Sequence, residues 1–391
     1  MPLARLRPLC LLPLALLAQP AAAIRLTDYL EPESRYEQAF LLGNFNSRSG
    51  NQDQTSYDLT LRANYEHNYS SLPRTWQLRL DGATDISRGA ERGDEQQETS
   101  SANAHLNIDN YLAPDSRRFW FGAADAGYLS DADDPFFKLG GGLGVGRVID
   151  ATPLAKVLRF EEELRAHGIV RGPISDATYL ALARLVARQD EFRARYGEDE
   201  YKPYWFAAME ELLRVEGVLY RDRLGAAGAL YMDRVLFDES VSVREHGWLL
   251  RGGVGLVVRD FHGNKGNPSL DGVYEYARPF GWRGQLIERL NVSVLLSGGN
   301  GYLLGNTLSY THELSNRIDW ENRWEFTFQD GDDETDHLIS HVVTSTFHYY
   351  LTNRLNLDAT VSVTRVSDDI EDNGNDDTSV TTFLGVRYRL R

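Results

Sequence analysis

The chain has 391 residues and a formal net charge of -16, with 42% hydrophobic residues and a mean hydropathy of -0.41. Because an acidic protein repels phosphates, this charge argues against a nucleic-acid partner. After the N-terminal leader, no stretch approaches the roughly 20 consecutive apolar residues of a membrane helix, so any membrane span must consist of β-strands.

The N-terminus is predicted to be a secretory signal peptide over residues 1–23. Two arginines precede the apolar run at residues 9–17, and three small residues ending at Ala23 provide a cleavage site. The apolar run is too short to span a bilayer as a helix. Because Cys10 is the only cysteine, the mature chain from Ile24 is predicted to have neither a thiol nor a disulfide.

Beyond the leader, apolar and polar residues alternate in one segment after another. Residues 317–329 place Trp320, Trp324 and Phe326 on one face of a strand, and charged residues such as Asp319 and Glu325 on the other. A soluble sheet does not need charges on its inner face, but a barrel with lipid outside and water inside does. The repeated pattern therefore predicts an all-β transmembrane barrel.

Counting these segments predicts fourteen antiparallel strands, an even number, as bacterial membrane barrels have. The predicted ranges are 36–46, 55–67, 74–86, 98–112, 117–129, 135–149, 247–261, 271–281, 285–297, 302–314, 317–329, 337–351, 354–367 and 378–390. With the N-terminus in the periplasm, the even-numbered connections are periplasmic turns and the odd-numbered ones are external loops. The predicted external loops are polar and span 48–55, 87–98, 130–134, 262–270, 298–301, 330–336 and 367–377.

Residues 150–245 do not follow the period of two, and they are predicted to form a helical insert of roughly 95 residues between strands six and seven. Helices are predicted at 152–168, 175–196, 201–216 and 218–237 from helical spacing, Pro153 and closing glycines. The chain thus divides into half-barrels at 24–149 and 246–391, with a periplasmic or lumen-plugging insert between them. The charged surface around Arg159 and residues 161–163 is predicted to be a solvated helix face, or a docking face for a periplasmic partner.

Glycines occupy every second position from 140 to 146 in predicted strand six, and Gly253 and Gly255 of predicted strand seven lie on the face that also carries Arg251 and Arg259. Glycine in a strand often marks the close approach of another backbone, so these residues are a candidate wall on which the insert packs as a plug. The alternative is that glycine only lets the barrel bend sharply. The candidate plug-contact wall consists of Gly140, Gly142, Gly144, Gly146, Gly253 and Gly255.

The inward faces are predicted to carry charges of both signs, which either line an aqueous pore or neutralise one another in a closed barrel. Arg62 is expected near Asp81, and Asp358 near Arg387, across two hairpins. Side chains can fill the interior of a barrel of about eight strands, whereas open porins have about sixteen strands. A barrel of fourteen strands lies between these two cases, so its size does not decide between the two roles. The candidate lumen-lining residues are Arg62, Arg79, Asp81, Asp319, Glu321, Arg323, Glu325, Asp358 and Arg387.

Catalytic and metal-binding patterns are weak in this sequence, and we predict no catalytic residue, no metal site and no cofactor. His337 and His341 share a strand face near acidic residues at an external rim, and are the ingredients of a rim hydrolase site. His312 lies near Ser315, but the spacing does not match a phospholipase. The acidic loops at 330–334 and 368–372 lack the bidentate glutamate of a calcium loop, and are predicted to be solvated.

Residues 36–149 and 247–391 resemble bacterial outer-membrane β-barrels of the porin-like class, although the last strand ends in Leu390-Arg391 where such strands usually end in an aromatic residue. The resemblance implies a barrel in a Gram-negative-type outer membrane that contacts lipid and passes or exports a polar solute or polymer without catalysis. In that interpretation the insert is a gate or docking surface. Two alternatives stay open: a scaffold that binds a periplasmic partner through residues 150–245, and an outer-membrane hydrolase.

Overall fold

The computed structural model of this chain describes residues 24–30, 33–239, 241–263, 266–296, 301–330, 337–352, 354–368 and 377–390. The predicted signal peptide and most of the two acidic loops lie outside these described residues. Among the described residues, no helix combines the length and apolar composition that a transmembrane helix requires.

Fourteen antiparallel strands form a closed barrel, in which each strand pairs with its neighbours in sequence and the first strand pairs with the last. The strands are β1 (Ser34–Arg48), β2 (Ser56–Ser70), β3 (Arg74–Arg88), β4 (Gln97–Tyr111), β5 (Arg118–Leu129), β6 (Phe136–Asp150), β7 (Glu245–Arg259), β8 (Asn267–Phe280), β9 (Gly284–Leu295), β10 (Tyr302–Ser315), β11 (Ile318–Asp330), β12 (Leu338–Tyr350), β13 (Leu355–Asp368) and β14 (Ser379–Arg389). The predicted fold class is confirmed, and the largest shift is at β8, which begins at Asn267 rather than 271.

The apolar row of each strand faces outward. Leu143, Val254 and Leu384 are among the most exposed large hydrophobic side chains, with Leu384 73% exposed. The surface of a water-soluble protein does not carry such a continuous apolar band, whereas a membrane barrel needs one against lipid. The polar row of each strand faces inward, as the period of two predicts.

The two ends of the barrel differ in their connections. Five of the connections at one end are short, at residues 71–73, 112–117, 281–283, 316–317 and 351–354, and we call this the short-turn end. The opposite end, the long-loop end, carries connections such as 49–55, 89–96 and 260–266. Because the helical insert joins β6 to β7, it emerges from the short-turn end, together with the N-terminal segment before β1.

The insert contains five α-helices: α1 (Thr152–Ala166), α2 (Asp176–Ala187), α3 (Gln189–Tyr196), α4 (Tyr201–Glu216) and α5 (Gly225–Asp233), the last followed by a π-helical turn, Arg234–Asp238. The helix predicted over 175–196 is interrupted at Arg188, which ends α2 and precedes α3. The helix predicted from Val218 begins at Gly225 instead. The first residues of the predicted range are extended and not helical, because the backbone N–H of Arg171 donates a hydrogen bond to the carbonyl of Val218.

The insert has its own apolar core. Leu154, Phe160, Leu182, Trp205 and Met209 are almost completely buried in it, and they come from α1, α2 and α4. Three residues of the N-terminal segment, Ile24, Leu26 and Tyr29, belong to the same core. The first described residues of the chain therefore pack with the insert, although β1 follows them directly.

Candidate functional site: the capped mouth of the barrel

The insert lies across the short-turn end and contacts the rim at several separated strands. In α1, Glu162 pairs with Arg283 in the turn between β8 and β9, at 3.3 Å. In α3, Asp190 pairs with Arg35 of β1 at 3.7 Å. Because β1 and the β8–β9 turn are far apart in the strand order, the helices extend over the mouth rather than stand beside it.

Helix α1 lies between the barrel and the rest of the insert. It packs on α2 and α5, while Arg159 on α1 reaches Glu313 of β10. Most residues of its first three turns are buried, among them Leu154, Val157 and Glu161, whereas Glu162 and Arg165 are exposed. A helix segment that is buried on most sides forms part of an interior. Helix α1 is therefore an inner layer of the insert, packed between its other helices and β10.

The insert is attached to the rim by a buried group of charges, Arg159, Glu239, Arg244 and Glu313, which we call the rim cluster. Glu313 accepts from Arg244 at 2.6 Å and from Arg159 at 3.3 Å, while Arg159 also donates to Glu239 at 2.8 Å. The side chains of Arg244, Arg159 and Glu313 are only 0%, 2% and 2% exposed. Charges removed from water to this extent are stable only when each has its partner.

The rim cluster corrects the prediction that Arg159 lies on a solvated helix face, because its guanidinium is buried between the insert and β10. Sequence reasoning missed the cluster, since its members are separated by up to 154 residues in the chain. One signal was available in the sequence: Arg244 directly precedes a strand and is not part of that strand's alternating apolar pattern. That signal alone does not identify Glu313 as the partner.

Among the candidate lumen-lining residues, Asp319 lies at the contact with the insert. Its carboxylate accepts from Ser242 of the insert at 2.6 Å and from Tyr350 of β12 at 2.9 Å, and the residue is 2% exposed. Asp319 therefore adds a second attachment point beside the rim cluster and is closed off from an aqueous pore.

Several other candidates pair with neighbours on the inner wall. The Glu66 carboxylate lies 3.5 Å from Arg79, and Arg323 lies 2.8 Å from Glu325. Asp81 accepts from Asn64 at 2.7 Å. The register places Arg62 opposite Ala83 and Asn64 opposite Asp81, so Arg62 and Asp81 are diagonal neighbours on the inner face and do not lie directly opposite each other.

The remaining candidates form one group near the short-turn end. Asp358 lies 2.9 Å from Arg387, so this predicted contact is confirmed. Asp358 also lies 2.7 Å from His348, whose other ring nitrogen is 3.3 Å from Glu321. These side chains largely neutralise one another. Their pore-lining role stays a prediction.

The glycines of β6 and β7 are covered by other parts of the barrel wall, not by the insert. A side chain at Gly144 would overlap the ring of Phe119 on β5, and one at Gly253 would overlap the Gly141 carbonyl. The predicted plug-contact wall of Gly140, Gly142, Gly144, Gly146, Gly253 and Gly255 is therefore corrected: among the described residues, the atoms nearest to these positions belong to the barrel strands. Close approach by backbone and rings of the barrel itself explains these glycines, and their role in bending the barrel stays a prediction.

The glycines also leave room for charged side chains to cross the inner wall. Arg251 of β7 passes over the glycines of β6 and binds Asp109 of β4 at 3.0 and 2.8 Å, while donating to Glu275 of β8 at 2.7 Å. Lys138 of β6 reaches Asp271 of β8 at 2.6 Å across Gly255. The pairs Arg251–Asp109 and Lys138–Asp271 connect strands that do not neighbour each other, and all of these pairs place fixed charges of both signs in the lumen.

A cavity of about 140 Å³ remains between the start of β1 and the insert, outside the rim cluster. Arg35, Tyr36, Asp150, Lys156 and Trp205 are among the residues that line it. Burial lowers the pKa of the Lys156 ammonium group below its ordinary value. The cavity contains charges of both signs and does not select one kind of ligand.

The histidines considered for catalysis do not converge. His337 lies 3.8 Å from Asp330, whereas His341 packs against the rings of Trp324 and Phe326. His312 stacks on Tyr310. In the part of the chain that the structure describes, no group of three or more histidine, cysteine or acidic side chains has a metal-binding arrangement. The loop residues 331–336 and 369–376 lie outside that part.

No family model and no curated protein matches this chain. Among solved structures, it is similar to OprB from Pseudomonas putida, with 8% identity, coverage of 93% of this chain and 94% of that chain, and a TM-score of 0.34. It is also similar to the translocator domain of the autotransporter NalP from Neisseria meningitidis, with 9% identity, coverage of 92% and 90%, and a TM-score of 0.28. A third is the outer membrane protein Omp33 of Acinetobacter baumannii, with 7% identity, coverage of 92% and 98%, and a TM-score of 0.31.

At these identities and TM-scores, the likenesses carry no argument about function, and the fold rests on the strand pairing described above. A closed, even-numbered antiparallel barrel with an apolar outer surface is the architecture of bacterial outer-membrane proteins. The resemblance to this class is confirmed at the level of the fold.

Proposed function

We propose that this chain is a non-catalytic channel or export barrel of a bacterial outer membrane, in which the helical insert closes the periplasmic mouth. Its cargo would be a polar solute or polymer. The apolar outer band supports insertion into lipid, and the charged inner wall supports a water-filled path. The long-loop end would face outward, since external loops of such barrels are longer than their periplasmic turns.

The observation that carries the proposal is the way in which the insert is attached. Its contacts with β10 and β11 are polar and pass through the rim cluster and Asp319, while most of its apolar side chains are buried in its own core, against which Ile149 of β6 and Trp282 of the β8–β9 turn also pack. A cap held mainly by ion pairs can leave the rim and expose those charges to water while its own core stays packed. Transport through the lumen requires such a detachment, because the insert lies across the mouth.

Single-channel conductance in planar lipid bilayers tests the proposal. We expect the full chain to be closed, and a variant in which a short turn replaces residues 152–244 to show a steady conductance step. The variant Glu313→Gln, which weakens the attachment without removing the cap, is expected to switch between the closed and the open level.

The exposed pair of Glu162 and Arg283 supplies the matched control. Like Glu313→Gln, Glu162→Gln removes one carboxylate from an ion pair between α1 and the barrel rim, but this pair is exposed, and the variant is expected to stay closed. If the deletion variant folds as a barrel but shows no conductance, then side chains of the wall close the lumen and the channel proposal is wrong.

A docking role for the insert is the second candidate, and exposed apolar side chains favour it. Val215 and Leu230 are 73% and 67% exposed, and Tyr204 and Tyr220 are also accessible. Such residues on the periplasmic side would suit a protein partner. Capture of a periplasmic protein by the full chain, lost when Val215 and Leu230 are changed to Ser, would support this role.

A further inference from the structure

The seam that closes the barrel differs from its other strand pairs. Strand β1 pairs with β2 along its whole length, from Ser34 to Arg48, but with β14 at only four positions, Phe40 to Gly43. Strand β14 pairs with β13 over ten positions, from Ser379 to Tyr388. All residues of both strands belong to the described part of the chain.

Beyond the short ladder, the edges of β1 and β14 face each other but their residues are not paired. Continuing the pairing of Gly43 with Val386 would place Asn44 opposite Gly385 and Arg48 opposite Thr381, yet the ladder ends at Gly43. In an antiparallel pair, every second residue directs both its N–H and its C=O towards the neighbouring strand. The segments 44–48 and 381–385 therefore present backbone donors and acceptors to the open half of the seam.

This open half lies next to lipid. Phe45 is 63% exposed on β1, and Leu384 and Val380 are 73% and 66% exposed on β14, all on the outward face. By comparison Tyr302, an outward residue near the same end of the fully paired β10, is 43% exposed. An unpaired backbone group in hydrocarbon costs several kcal/mol, and a spanning barrel normally closes to avoid this.

We propose that the open half of the β1–β14 seam binds an extended segment of another polypeptide by strand addition. Only a strand satisfies the backbone groups of both edges at once. The two faces of β1 determine which side chains the added strand must carry. Outward positions such as Phe45 contact lipid, while Asn44 and Asn46 face the lumen. The partner is therefore a segment of alternating apolar and polar residues, as in a transmembrane β-strand.

Photo-cross-linking of the full chain in phosphatidylcholine vesicles tests this inference. The photoreactive residue p-benzoylphenylalanine replaces Phe45 in one variant and the outward-facing, fully paired Tyr302 in a control variant. The probe is a synthetic peptide with the sequence of residues 378–390, which alternates as required. We expect about tenfold more peptide adduct at Phe45 than at Tyr302, the ratio given by one or two backbone hydrogen bonds.

A second peptide has the same composition in an order that lacks alternation, and we expect it to label Phe45 no more than it labels Tyr302. Equal labelling of the two sites by the alternating peptide would overturn the inference, as would equal labelling of Phe45 by both peptides. Labelling at the seam does not require an open lumen. Failure of the channel proposal in bilayer recordings is therefore distinguishable from failure of strand addition.

Discussion

The barrel and the insert of this chain have opposite interiors. In the insert, side chains such as Leu154, Phe160 and Trp205 are buried in a conventional apolar core. In the barrel the leucines and valines lie on the outside, and the inside holds pairs such as Arg251 with Asp109. The difference shows that the two regions are stabilised against different surroundings: the insert by removing apolar surface from water, the barrel by backbone pairing within lipid.

The boundary between the two regions is polar. Glu313 and Asp319 of the barrel receive hydrogen bonds from Arg159, Arg244 and Ser242 at the insert side of the rim. Apolar contact at this boundary is limited to the edge of the insert core, where Ile149 of β6 and Trp282 of the β8–β9 turn pack. Because the buried contacts with β10 and β11 are polar, we expect that each region can be perturbed without unfolding the other.

The largest expected effect is on the insert core. Trp205→Ala removes a side chain that is 1% exposed and whose indole N–H donates to Leu185 at 2.7 Å. We expect it to lower the free energy of unfolding of the insert by about 3–5 kcal/mol, while the barrel stays intact. Limited proteolysis should cut residues 151–244, and the heat-modifiable mobility of the barrel on gels should not change. Tyr204→Ala, on the exposed face of the same helix, is the control; equal sensitivity of the two variants would contradict the expectation.

The next effect concerns the boundary. Glu313→Gln leaves two buried arginines without their carboxylate, and should weaken the attachment of the insert by about 3 kcal/mol. The exposed Glu162→Gln should change it by less than about 0.5 kcal/mol. Protease accessibility of α1 in proteoliposomes measures both variants. If both leave α1 equally protected, the rim cluster does not hold the cap.

A smaller effect is expected in the barrel wall. A methyl group at Gly253 would overlap the Gly141 carbonyl and lie 2.9 Å from the Phe121 ring, whereas one at Gly252 meets nothing within 4 Å. Gly253→Ala should therefore destabilise the folded barrel by about 1–3 kcal/mol, and Gly252→Ala should have little effect. Urea unfolding of the barrel in vesicles compares these neighbouring glycines. Equal midpoints would show that the wall accommodates a side chain at Gly253.

The smallest effect is a pH dependence confined to the insert. Glu216 accepts from the Thr178 hydroxyl at 2.6 Å and from Ser175, and these hydrogen bonds lower the pKa of its carboxyl group below the ordinary value. A lowered pKa contributes stability above the unfolded pKa, and this is lost as the pH falls through the folded pKa. Since the group is exposed, Glu216→Gln should cost no more than about 0.5 kcal/mol at neutral pH.

Thermal unfolding of the insert, followed by circular dichroism at several pH values, checks this dependence. The difference between wild type and Glu216→Gln should disappear at low pH, where both side chains are uncharged. A difference that stays constant from neutral to low pH would show that the hydrogen-bond geometry, not the charge, is responsible.

Most of the fold was predictable because the alternation of the strands and the helical spacing of the insert each depend on residues that are close together in the chain. Strand β11 was placed by alternation at residues 317–329 and is observed at Ile318–Asp330, and α4 was placed at 201–216, where it is observed. The break at Arg188 was missed, because the apolar spacing continues through it. The start of α5 was also missed, because Val218 is held in an extended contact with Arg171 that is distant in sequence.

The candidate site was predictable only in part. Alternation assigns Asp358 and Arg387 to the inner faces of adjacent strands, so their contact followed from hairpin pairing. The burial of Asp319 depends on Ser242, a residue of the insert, and nothing local to either residue indicates the other. The same limit applies to the glycine wall, whose covering rings come from β5.

The sequence by itself determined the number of strands, which faces are apolar and where the helical insert interrupts the barrel, because each depends on spacing within one segment. Only the tertiary structure decided that α1 packs on the rim of the short-turn end, that Arg159 is buried against Glu313 and that the β1–β14 ladder stops at Gly43. These features depend on distances between segments far apart in the chain, and such distances are set when the barrel closes and the insert packs on its rim.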